Sequence, residues 1–159
     1  MKIVNFLIIM IIIAVLSISN VLPSLEKTWA DKVIATIPVG FSSEPIEYSA
    51  SNGNIYVANG GSDSVSVIDK VSNEVTTTID VGDSPVAIKY HPLNEEIYVT
   101  NIQDSTVSVI DSSTNTVVDT VDVGDYPFGD APYPIEYNPS NGNMYVGNTG
   151  TNNIVVIDS

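Results

Sequence analysis

The sequence contains no cysteine and no arginine, and it has one histidine and one tryptophan. Without cysteine there are no disulfides and no thiolate metal sites, although export stays open because sheet packing can replace covalent staples. Five Lys against 19 Asp and Glu leave a formal charge of −14. Phosphate contacts are made by Lys and Arg, so the balance argues against nucleic acid or an anionic membrane face as partner. Charged residues are only 15% and hydrophobic ones 43%, too apolar for a disordered acidic tail. The 159 residues suffice for one domain with a core.

What is present begins with a long apolar run. Between Lys2 and Glu26 lie 23 residues without a formal charge, among them Phe6 to Leu16 with its repeated isoleucines. A positive start followed by an apolar stretch is the pattern of an export signal. A buried core helix fits poorly, because isoleucine on every face leaves no polar side for water. Ser17-Ile18-Ser19 suits cleavage before Asn20, with Thr28-Trp29-Ala30 as a weaker choice. Ile3 to Leu22 also matches the ~20 residues that span a bilayer. Residues 1–30 therefore read as a signal peptide or an N-terminal membrane anchor, with Lys2 inside and the body extracellular.

Residues 31–159 repeat. Tyr56-Val57-Ala58-Asn59, Tyr98-Val99-Thr100-Asn101 and Tyr145-Val146-Gly147-Asn148 share one position, spaced by 42 and then 47 residues. The segments ending at Asp69, Asp111 and Asp158 keep the same spacings, as do Ile46-Glu47-Tyr48, Ile88-Lys89-Tyr90 and Ile135-Glu136-Tyr137. The repeats run at about 32–69, 70–111 and 112–159. Six of the eight tyrosines sit at repeat positions, which makes them scaffold. The five extra residues of the third copy fall in Gly124-Asp125-Tyr126-Pro127-Phe128-Gly129, where a turn tolerates insertion.

Each repeat holds four short segments rich in Val, Ile, Thr and Tyr, separated by turn residues. Asn52-Gly53 and Asn141-Gly142 predict hairpin turns with positive φ at both positions. The spacing predicts an all-β body of β-propeller-type blades, four antiparallel strands each, preceded by one N-terminal hydrophobic helix. Lys32 to Gly40 matches the fourth strand of a blade, so the expected order is one such strand, two full blades and a final three strands, twelve in all. The first strand is placed to complete the last blade. Three blades are few for a ring. The alternatives are a fragment of a longer array, a homodimer forming six blades, or a short open stack.

The Tyr-Val-x-Asn strand, the Val-Ser-Val-Ile-Asp strand and the Val-Gly-Asp-x-Pro link resemble the YVTN family of β-propeller repeats, and Tyr98-Val99-Thr100-Asn101 spells its motif. The resemblance covers residues 32–159 and implies a cell-surface or surface-layer protein, of a kind found in archaea and bacteria, that serves protein interaction or adhesion.

No catalytic, cofactor-binding or metal-binding residue is expected. His91 precedes proline in a turn, and its repeat equivalents are Ser49 and Asn138, so it reads as a turn residue rather than a base. Asp83, Asp125 and Asp130 at the links, with Asp69, Asp111 and Asp158 after the third strands, are carboxylates that calcium accepts. No D-x-D-x-D-G loop is present, and they read as turn formers capping local N–H groups. The expected contact residues are Tyr126 and Phe128, two aromatics on a polar rim. The expected partner is a protein or cell-surface polymer. The competing reading is an exported propeller enzyme whose active site lies in further blades.

Overall fold

The computed structural model describes residues 31–124, 134–148 and 151–158. The expected N-terminal helix, and the signal or anchor it would form, lie outside these residues. Met1–Ile34 and Ala35–Ser159 are separate units, and every strand of the described residues belongs to the second.

Strands β1 (Ser43–Tyr48), β2 (Ile55–Asn59), β3 (Ser64–Ile68) and β4 (Val75–Asp80) pair in sequence order as one antiparallel sheet. Strands β5 (Pro85–His91), β6 (Glu96–Asn101), β7 (Thr106–Asp111) and β8 (Thr116–Asp122) form the second, and β9 (Ile135–Tyr137), β10 (Met144–Asn148) and β11 (Asn153–Ile157) the third. Each sheet is a blade. β1, β5 and β9 are innermost, β1 beside β5 and β5 beside β9. There Glu47 accepts the Tyr90 N–H at 3.0 Å, and Lys89 meets Glu136 at 3.1 Å.

The middle strands β3 and β7, each flanked by a strand on either side, are buried along almost their whole length. The outer strands β4 and β8 are largely exposed. Blade 1 meets blade 2 through a core that includes Tyr56, Val65, Val67, Ile88, Tyr90 and Ile97. Blade 2 meets blade 3 through Tyr98, Val107, Val109, Ile135, Met144 and Val146. Bulges recur in phase, between Val67 and Ile68 and again between Val109 and Ile110.

Backbone torsions carry the repeat as well. Asp63, Ser105 and Asn152 are left-handed at one position, with φ of 48°, 55° and 55°. Gly53, Glu95 and Gly142 share another, at 79°, 62° and 81°. The Asn-Gly turns thus differ from expectation. Only the glycine has positive φ, because Gly53 N–H bonds Ser49 O and Gly142 N–H bonds Asn138 O, closing four-residue loops rather than two-residue turns.

The expected strand at Lys32–Gly40 is not formed, so the described residues hold eleven strands where twelve were expected. In blades 1 and 2 the fourth strand pairs with the third of its own sheet. The third strand of blade 3, β11, has no fourth strand beside it among the described residues, so the 32–40 segment does not complete that blade as expected.

Candidate functional site

The antiparallel order puts turns of two kinds at opposite rims. One rim carries the links between blades together with the turns after β2, β6 and β10. The other carries the turns after β1, β5, β9 and after β3 and β7.

At the link rim, each link is stitched to two blades. Val81 N–H bonds Asp63 O at 3.0 Å on the blade it leaves, and Gln103 N–H bonds Asp83 O at 3.2 Å on the blade it enters. The motif asparagine lies directly beneath. Asn101 donates from Nδ2 to the Thr106 and Ser108 hydroxyls at 3.0 and 2.8 Å, and Asn59 does the same to Ser64 and Ser66 at 3.3 and 3.0 Å. Asn148 instead donates to Val123 O at 3.1 Å, tying the incoming link to the third blade. The link glycine is needed for this approach. A Cβ on Gly40 would lie 2.6 Å from Asn59 Cγ, and one on Gly82 2.6 Å from Asn101 Nδ2. The Val-Gly of the link and the Asn of the strand are therefore two halves of one contact.

The Oδ1 atoms of Asn59 and Asn101 are buried without a partner.

At the opposite rim, blade 1 reaches into blade 2. Tyr56, fully buried, donates to Asn115 Oδ1 at 2.7 Å, while Asn52 Nδ2 bonds both the phenol oxygen and Ser112 O. Burial holds the Tyr56 phenol above its ordinary pKa; the Asn52 hydrogen bond opposes this and the Asp111 charge adds to it. Between blades 2 and 3 the contact is made by His91, at a different repeat position. It ends β5 and is 1% exposed. Nδ1 accepts the Asn94 N–H at 3.3 Å, which leaves Nε2 to donate to Gly142 O at 2.8 Å, and Tyr137 packs edge-on with centroids 4.6 Å apart. The histidine is more than a turn residue: it is the buried junction of two blades.

Asp69 and Asp111 are turn formers. Asp69 Oδ1 accepts the Ser72 and Val71 N–H groups, and these bonds hold its carboxyl below the ordinary range. Asp111 is lowered likewise by the Ser113 hydroxyl and the Ser113 N–H. Among the described residues, no three acidic or histidine side chains lie close enough to share a metal ion.

The motif residues Tyr56, Val57, Asn59, Tyr98, Val99, Asn101 and Val146 are buried, with Tyr145 and Asn148 partly so. Tyr126, Phe128, Asp125 and Asp130 lie outside the described residues. The link that contains them leaves from Gly124 and returns at Pro134, both at the link rim against the Asn148 strand end. The sequence reading missed Phe41. It is 77% exposed on the first link and stands where the second link has Asp83. That departure from Gly-Asp-x-Pro was the available signal.

No family model and no curated protein matches the sequence. Solved β-propeller structures do match the fold. Hydrazine synthase of Kuenenia stuttgartiensis aligns with a TM-score of 0.65 at 25% identity, over 81% of this chain and 36% of that one. Apo AztD of Citrobacter koseri gives 0.61 at 21% identity over 80% and 34%. A catalytically inactive virginiamycin B lyase of Staphylococcus aureus gives 0.62 at 16% over 74% and 38%. The chain is similar in fold to these β-propeller proteins and spans little more than a third of each.

Proposed function

We propose that this chain is an exported β-propeller repeat scaffold of the YVTN type, held at the cell surface or secreted, non-enzymatic, binding another protein or a cell-surface polymer through its link rim. The carrying observation is a division of labour among side chains. His91, Tyr56 and the motif asparagines, which a catalytic or polar binding site would use, are buried in contacts within and between blades. The aromatic Phe41 stands out to solvent on the link rim. Exposed aromatics on a rigid frame suit contact sites, and loops on such a frame keep fixed spacing. The apolar run after Lys2 supports export, and it is the membrane contact if uncleaved.

Protease treatment of intact cells tests the location. The reading expects an antibody tag inserted in the 124–134 link to be lost while a cytoplasmic marker survives; a tag protected until the cells are lysed contradicts it. A second reading is favoured by the partial span of the structural neighbours: this chain forms part of a larger exported propeller enzyme whose chemistry lies in further blades.

A further inference from the structure

The two outermost blade faces are halves of an interface the chain already makes twice. Val65 and Val67 of blade 1 share a core with Ile88 and Tyr90 of blade 2. Val107 and Val109 of blade 2 share one with Ile135, with Tyr137 packed against it. The receiving positions recur in blade 1 as Ile46 and Tyr48, which are 64% and 55% exposed, while Ile88 and Ile135 are 8% and 3%. The donating positions recur in blade 3 as Ile154 and Val156, 61% and 49% exposed, while Val65 and Val107 are at 0%.

We propose that a second copy of this chain covers both faces, head to tail, with Ile154 and Val156 of one copy packed on Ile46 and Tyr48 of the other. The occupant follows from residue identity, since blade 1 keeps the same Ile and Tyr that receive a neighbour in blades 2 and 3. Two such contacts about a two-fold axis close six blades, inside the four to eight that propellers hold.

A second observation points to the same partner. Val33–Pro38 is in phase with β4 and β8 yet makes no ladder, and Val33 and Ile34 are 85% and 81% exposed. Among the described residues β11 pairs with β10 on one edge and with no strand on the other. At both internal junctions the fourth strand of one blade leads into the first strand of the next. In the head-to-tail pair, Val33–Pro38 of one copy falls beside β11 of the other. Because each copy carries −14, the pairing strengthens as salt screens the repulsion.

The absence of cysteine allows a clean test on the full chain in mild detergent. Ile46→Cys and Ile154→Cys are prepared separately, both at exposed sites, and treated with a short bis-maleimide alone and mixed. The proposal expects a cross-linked dimer only in the mixture. Cross-linking of Ile46→Cys with itself, or none in the mixture, overturns it. Independently, the unsubstituted chain is expected to sediment at twice its 17.0 kDa mass, and increasingly so with salt; a monomer at all salt concentrations overturns it. Neither result depends on what the link rim binds.

Discussion

The phenol of Tyr56 in the first blade donates a hydrogen bond to Asn115 Oδ1 in the second, across 2.7 Å and 59 residues of sequence. This one contact joins the motif strand of one repeat to a turn of the next. At this position phenylalanine fills the same core but cannot reach the turn with a donor.

Tyr56→Phe is therefore expected to lower stability by about 1–2 kcal/mol in urea unfolding. It also changes the alkaline limb. A phenol whose folded pKa is raised adds stability below its unfolded value of 10.0 that is lost as pH rises through the higher folded value. The variant loses that slope. Equal stability and an unchanged alkaline limb contradict the junction.

Gly82→Ala is expected to cost about 1–3 kcal/mol, because the added methyl meets the Asn101 amide and both must shift. Asn101→Ala removes the obstacle along with the bonds, so the double variant is less destabilised than the sum of the singles. Additive losses in a double-mutant cycle contradict the contact.

Glu95 holds a left-handed backbone where the other two repeats have glycine. Glu95→Gly is expected to raise stability by roughly 0.5–1 kcal/mol, the relief of strain exceeding the added freedom of the unfolded chain. A fall in the melting midpoint is the contrary result.

Asp69 and Asp111 have carboxyl pKa values below the ordinary 3.8. Their contribution is present above that unfolded value and is lost as pH falls through the lower folded values. Asp69→Asn with Asp111→Asn keeps the acceptors and removes the titration. Melting midpoints from about pH 5 to about pH 2.5 should fall less steeply in the variant. An identical acid limb contradicts this role.

The blades were legible in the sequence because strands repeat in phase, as the 42-residue offset of Tyr56 and Tyr98 shows. What escaped depends on partners. Lys32–Gly40 has the residues of a strand, but a strand exists only beside another. His91 looked like a turn residue because Ser49 and Asn138 share its position, and its burial arises only where two blades meet. The asparagine motif was visible, yet its role against the link glycine joins residues 19 apart, Gly82 and Asn101, which no periodicity pairs. Of the candidate contact site, Tyr126 and Phe128 were read from the insertion, whereas Phe41 emerged only from its exposure.

The central claim is that the link rim is the binding surface of a rigid scaffold. Its most direct test is the binding of purified chain to isolated envelopes of the source cells, with Phe41→Ala/Tyr126→Ala/Phe128→Ala as the comparison. The account predicts that the triple variant keeps its melting midpoint and loses at least about tenfold in affinity, as expected when contact-site aromatics are truncated. Envelope binding unchanged in the variant, or no binding by either chain, would contradict it.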